Sequence, residues 1–213
     1  MTHLLRTRRS SLLVVGLLTL APAGVAGDQQ PPAPLSAVDA DRFEKKLVEI
    51  THYGVQASSM PFSPDRARRT VVTEAETNAY LRLKIPSQLP AGIVDPYIAA
   101  LGGGRVSANA ILDLDAVRRG AANATLELAR WLTGRLPVSV TGVLKTRSGI
   151  ATFDLESASI AGIPMPRSLL QQLVNFYTRS ADHPDGVSLD AQFALPAGIR
   201  EIDIQTRQAV IVQ

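Results

Sequence analysis

Three stretches of this chain alternate apolar and polar residues with period two. In 104–114, Val106, Ala108, Ala110, Leu112 and Leu114 fall on one face, while Arg105, Ser107, Asn109 and Asp113 fall on the other, because successive strand side chains point to opposite sides. Near 136–160, Val138, Val140, Gly142 and Leu144 align, Ser148-Gly149 supplies a turn, and Ala151, Phe153 and Leu155 continue the pattern. At 199–212, Ile202, Ile204, Thr206, Gln208, Val210 and Val212 align. One dry and one wet face is the pattern of antiparallel sheets, whereas strands of a buried parallel sheet read as unbroken apolar runs. The fold class predicted is α+β with a long antiparallel sheet, and a parallel α/β arrangement is disfavoured.

Helical periodicity separates these stretches. From Val38, the residues Phe43, Leu47, Ile50 and Gly54 recur one turn apart, with Arg42, Glu44, Lys45 and Lys46 facing elsewhere, which predicts a surface helix with one buried stripe. A short strand is expected over Arg69 to Val72. Thr73-Glu-Ala-Glu76 fits a capping box opening a helix over about 74–84, since its hydroxyl and carboxylate each satisfy an amide left unpaired at a helix start. A further helix is read at about 115–132, with Val117, Ala121, Ala124, Leu128 and Trp131 or Leu132 on one stripe and Gly134 stopping it. The last follows Pro166, suited to a first helical turn, and buries Leu169, Leu170, Leu173, Val174 and Tyr177. The order expected is helix, helix, hairpin, helix, hairpin, helix, hairpin. Leu89-Pro-Ala-Gly-Ile93 reappears as Leu195-Pro-Ala-Gly-Ile199, read as one Pro/Gly turn chemistry used twice.

Charge and length exclude some functions. Among 213 residues, Lys and Arg number 22 against 19 acids, a net charge of +3. Arg6, Arg8 and Arg9 account for all of the excess, because residues 1–26 hold these cations and no acid. The rest is neutral, so nothing argues for nucleic acid, which needs a basic face on the folded domain. The arginines, the apolar run Leu12 to Ala21 and the small-residue end Ala21-Pro-Ala-Gly-Val-Ala26 read as a cleavable export signal. The run is about half of the ~20 residues that span a bilayer. Arg8-Arg9 also fits a twin-arginine route. Residues 27–37, with Pro31, Pro32 and Pro34, read as a proline-rich linker, and 38–213 as one domain. The protein has no Cys, which removes disulfides, thiolate metal sites and lipoprotein acylation. The expected location is the periplasm or cell envelope.

Function is read from dimensions. Alternating stretches of eleven to fourteen residues would reach about 36 to 46 Å, whereas helices of eleven to eighteen residues reach about 17 to 27 Å. Short helices under a long sheet can leave an apolar groove, lined here by small residues in a chain with only 5% aromatics. Such a groove suits an acyl chain, each buried methylene contributing about 0.8 kcal/mol. The candidate lining residues are Val106, Ala108, Ala110 and Leu112; Val138, Val140, Gly142 and Leu144; Phe153 and Leu155; Leu169 and Leu173; and Ile202 and Ile204. The opposing expectation is that side chains interdigitate and fill the space.

Thr73-Glu-Ala-Glu-Thr-Asn-Ala-Tyr-Leu81, the long alternating strands, and Glu156-Ser-Ala-Ser-Ile-Ala-Gly-Ile-Pro-Met-Pro166 leading into a helix resemble, in pattern and order, small exported bacterial members of the tubular lipid-binding (TULIP-like) superfamily. The similarity covers roughly residues 70 to 213. It implies a long curved antiparallel sheet wrapped around a few helices, a half-module that binds a lipid or other amphiphile in the envelope without catalysis. The resemblance places no ligand-contacting residue.

The motifs of chemistry are thin. Asp182-His183-Pro-Asp185-Gly186 groups acids with an imidazole but reads better as a turn than as a metal site. His52 fits a helix end, where a cation is favoured. No Gly-x-Ser-x-Gly elbow occurs. Gly102-Gly-Gly104 precedes a strand rather than a helix and reads as a hairpin turn, not a phosphate loop. Asn123-Ala-Thr125 fits a glycosylation triplet inside a predicted helix. The expectation is therefore a non-enzymatic protein without metal or cofactor. The partners expected are a lipid or amphiphile, and peripherally a membrane surface. The alternative is an envelope adaptor that docks a protein on an apolar patch near Ile160, Ile163 and Met165.

Overall fold

The computed structural model describes residues 35–57, 67–120, 133–180 and 183–213. The expected export signal, the linker up to residue 34, residues 121–132 of the third helix, the Asn123 triplet and Asp182 lie outside them. The elements in chain order are α1 (Ala37–Ala57), β1 (Arg69–Thr73), α2 (Glu74–Leu83), β2 (Ile93–Gly102), β3 (Arg105–Asp113), α3 (Leu114–Gly120), β4 (Arg135–Arg147), β5 (Ile150–Ile160), β6 (Ile163–Pro164), α4 (Arg167–Thr178), β7 (Phe193–Ala194), β8 (Glu201–Gln205) and β9 (Gln208–Val212).

This is an α+β fold. An open antiparallel sheet runs β2-β3-β4-β5-β6, with β7 on the same edge of β5, and a second sheet runs β1-β9-β8. The Gly102-Gly103-Gly104 turn joins β2 to β3 at φ of 85°, 60° and 80°, values that glycine adopts freely. Ser148-Gly149 joins β4 to β5 with both φ positive. Strands β3 and β4, of 9 and 13 residues, reach about 30 and 43 Å.

The final alternating stretch forms the hairpin expected, but its six aligned residues do not share one face. It folds at Thr206-Arg207 into two five-residue strands, with Gln205 opposite Gln208 and Ile202 opposite Ile211. A two-residue turn reverses the parity of the faces. Ile202 and Ile204 therefore share a face with Ile211 and Ala209, and Val210 and Val212 lie on the other. This hairpin crosses the tips of the long sheet. The Gly104 N–H donates to Ile204 O at 3.2 Å and the Arg207 N–H to Ala100 O at 2.7 Å. Thr146 Oγ1 bonds both the N–H and the carbonyl of Ile202, at 2.9 and 3.2 Å.

Helix α1 buries Ala40, Ile50 and Gly54 and half-buries Phe43 and Leu47, the stripe its periodicity predicts. Its end presses on the second Pro-Ala-Gly turn, where a Cβ added at Gly54 would lie 2.1 Å from Ala197 O. Both repeated turns close with the same bond, Ile93 N–H to Pro90 O and Ile199 N–H to Pro196 O, each 3.0 Å. Their backbones differ, since Gly92 alone has positive φ in the first whereas Ala197 and Gly198 both do in the second.

The capping box at α2 is formed. The Glu76 N–H donates to Thr73 Oγ1 at 3.2 Å, and the Thr73 N–H donates to Glu76 Oε2 at 2.9 Å. Helix α2 then closes the edge of β2 with side chains. The buried Asn78 amide accepts from the Ile98 N–H and donates to the Ile98 carbonyl, both at 2.7 Å, as a neighbouring strand would. Glu74 accepts from the Ala100 N–H at 3.0 Å and from the Tyr97 hydroxyl. Burial and the Glu74 carboxylate push the Tyr97 hydroxyl up to about 12.

Glu76, 5% exposed, also receives Lys46 Nζ from α1 at 2.7 Å. Burial alone would raise its carboxyl, but the Lys46 and Thr73 bonds outweigh burial and hold it below the ordinary value of 4.5. A carboxyl lowered by folding stabilises above its unfolded pKa and loses that stability as pH falls through the folded value. Glu76→Gln should therefore flatten the loss of stability of the purified protein between about pH 5 and pH 3, read as urea midpoints across pH. An unchanged acid limb would contradict this role.

Candidate apolar site under the long sheet

The long sheet presents its apolar face to the helices. Ala110, Leu112, Val138, Val140 and Ile160 cluster with Leu114 and Val117 of α3 and with Leu170 and Leu173 of α4, and Leu155, Phe153 and Leu169 pack at the margin. The register of β5 makes this possible. Thr141 lies opposite Ser157 and Gly142 opposite Leu155, so Glu156 is an extra residue in the ladder. Such a bulge shifts side-chain parity by one, so Ile160 and Ala158 join the face of Leu155 and Phe153, although one run is even-numbered and the other odd.

The candidate lining residues do not converge on one groove. Val106 is buried in β3. Ala108 packs with Leu81, Ile85 and Ile98 beneath α2. Leu144 and Ile202 belong to a separate cluster around Ile50, Ala151, Leu195 and Ile199, and Ile204 is buried where the second sheet crosses the first. The remaining positions, apart from Gly142, lie in the cluster beneath α4. Gly142 lines no space, because a Cβ there would meet the Phe153 ring at 2.4 Å. The opposite face is not uniformly wet either, since the cross-strand partners Ser139 and Ser159 are buried.

Among the described residues a small cavity of about 30 Å³ lies between β4, β5, α4 and residues 187–193. Val140, Phe153, Leu170 and Val174 form one side, and Val187, Leu189, Ala191 and Phe193 the other. Of the candidate residues, Val140 and Phe153 line it. The volume suits a water- or methyl-sized group and is about a fifth of the ~150 Å³ that admits a benzene ring.

Sequence reading missed the 187–193 wall, although the signal is present. Val187, Leu189, Ala191, Phe193 and Leu195 alternate with Ser188, Asp190, Gln192 and Ala194, and exposure alternates with them. Only Phe193–Ala194 pairs as strand, with Ile150 and Ala151. The preceding residues are tied to α4 by side chains. Gln171 Nε2 donates to Val187 O at 3.0 Å, Gln171 Oε1 accepts from the Leu189 N–H at 2.8 Å, and buried Thr178 Oγ1 accepts from the Val187 N–H at 2.8 Å. Arg167 pairs with Asp190.

The groups considered for chemistry and docking are placed as follows. His52 is exposed on α1, and His183 and Asp185 are exposed in a turn where the Gly186 N–H donates to His183 O at 3.0 Å. Among the described residues no group of three or more His, Cys, Asp or Glu is placed to hold a metal, and no helix is long and apolar enough to cross a membrane. The patch expected around Ile160, Ile163 and Met165 does not form. Ile160 and Met165 are buried and only Ile163 is exposed, at 67%.

If the interior at Gly142 is filled, Gly142→Ala should destabilise the protein by about 1 to 3 kcal/mol through overpacking against Phe153. Urea denaturation checks this, and a loss below about 0.5 kcal/mol, the range of a neutral surface change, would contradict it.

No protein-family model matches this chain, and no curated protein or solved structure is similar to it at a significant level.

Proposed function

We propose that this domain binds the apolar tail of a lipid or similar amphiphile, without chemistry, in the cavity between β4, β5, α4 and residues 187–193. The observation that carries the reading is the construction of that cavity. One wall is ladder-bonded sheet and packed helix, and the other is a segment with an apolar inner side whose backbone is held by side chains of α4. At about 30 Å³ the resting space is too small for an acyl chain, so occupancy requires the second wall to move outward. That can happen without breaking the β3-β4-β5 ladders, and each methylene then buried contributes about 0.8 kcal/mol. The basic head, short apolar run and small-residue end of residues 1–26 support an exported protein acting in the envelope as a carrier or chaperone, as the likeness to tubular lipid-binding proteins implies.

The test is native mass spectrometry of the purified protein, together with titration of a dansyl-labelled undecanoic acid. The expected result is a bound amphiphile, or saturable uptake of the probe. Ala191→Trp, filling the cavity from its outer wall, should weaken uptake by about tenfold, equivalent to ~1.4 kcal/mol, while the thermal midpoint stays within a few degrees. A protein that carries no amphiphile and takes up no probe would end the proposal.

A further inference from the structure

We infer that residues 187–192 are a strap that opens locally over the cavity, latched to α4 by Gln171 and Thr178. The inference rests on the binding site proposed above and adds its means of access. The strap is fixed at both ends. At one end Gly186, with φ of 80°, lies so close to α4 that a Cβ there would come within 2.4 Å of Asn175 Cα. At the other, Phe193 and Ala194 pair with Ala151 and Ile150 of β5.

Between these anchors the strap adds no rung to the sheet. Its internal bonds, from the Ala191 N–H to Ser188 O at 3.0 Å and from the Asp190 N–H to Ser188 Oγ at 3.3 Å, close a turn within the strap itself. Its ties to the body include the Gln171 amide, which takes one carbonyl and one N–H, the Thr178 hydroxyl, which takes the Val187 N–H, the Asn175 amide, which donates to Val187 O at 3.2 Å, and the exposed Arg167–Asp190 ion pair. Thr178 is itself held, donating to Val174 O at 2.7 Å. Releasing these ties frees a turn-containing segment whose inner side chains are only half-buried, and every rung of the long sheet stays intact. Segments with few buried contacts and no ladder open at lower free energy than core strands. The strap's inner residues, Val187, Leu189 and Ala191, line the cavity, so outward motion enlarges the space that must receive an apolar tail.

The experiment is amide hydrogen exchange on the whole protein, with Val140 in the β3-β4 ladder as the internal reference, combined with stopped-flow uptake of the dansyl-labelled fatty acid. In the native protein the Val187 and Leu189 amides should exchange at least about tenfold faster than Val140, as local opening requires. Gln171→Leu should speed Leu189 exchange further, leave Val140 unchanged and raise the rate of probe uptake. Thr178→Val should do the same at Val187, and serves if the first variant folds poorly. Strap amides that exchange together with Val140 and with the same urea dependence would overturn the inference, because the strap would then open only by global unfolding. Fast strap amides with no probe bound by any variant would support the strap and sink the binding site instead.

Discussion

The extra residue at Glu156 decides what the long sheet shows to its helices. In an unbulged β5, Ala158 and Ile160 would face away from Leu155 and Phe153, and the strand would offer a broken apolar face. With Glu156 unpaired opposite the step from Thr141 to Gly142, all four side chains reach the same side as Val138 and Val140. Helix α4 can then bury Leu170 and Leu173 against a continuous surface. The ring of Phe153 is brought over Gly142 by the same shift, filling the sheet face at that position, while a small cavity lies toward the 187–193 segment.

A second constraint is the strand edge. Unpaired backbone groups along an edge invite pairing with another chain; here a helix amide caps such an edge, and a second helix amide holds backbone groups that lie outside the sheet. Asn78 of α2 supplies Ile98 of β2 with both a donor and an acceptor, and Gln171 of α4 does so for Val187 and Leu189. The two positions differ in consequence. Around Asn78 the edge is reinforced by Glu74 and by the Lys46–Glu76 pair, tying α1, α2 and β2 into one body. Around Gln171 the support is Thr178 and an exposed ion pair. Equivalent chemistry therefore closes a strand edge at Ile98 and latches a segment outside the sheet at Val187 and Leu189.

The elements were mostly legible because they are local. The stripe of α1, the capping box at Thr73, the alternation of β3 and β4, and the glycine turns at 102–104 and 149 each depend on residues within about two turns or one strand of each other, where periodicity is set by backbone geometry. The alternation over 187–195 was equally local and could have been read. The candidate site was less legible. A list drawn from dry faces treats every inward residue as a neighbour of every other, yet Ala108, Leu144 and Val140 belong to three separate clusters.

Composition and periodicity alone specify an α+β chain with antiparallel hairpins, helices that bury one stripe, no cysteine chemistry and a net charge confined to residues 1–26, since all of these follow from residue type and near-neighbour spacing. Packing in three dimensions chose the rest. A one-residue bulge reverses parity without altering composition, a two-residue turn at Thr206-Arg207 sends Val210 and Val212 to the face opposite Ile202 and Ile204, and residues 187–192 take side-chain partners from α4 in place of a rung of the sheet. Those outcomes depend on pairing between residues distant in sequence, and one-dimensional spacing carries no record of such partners.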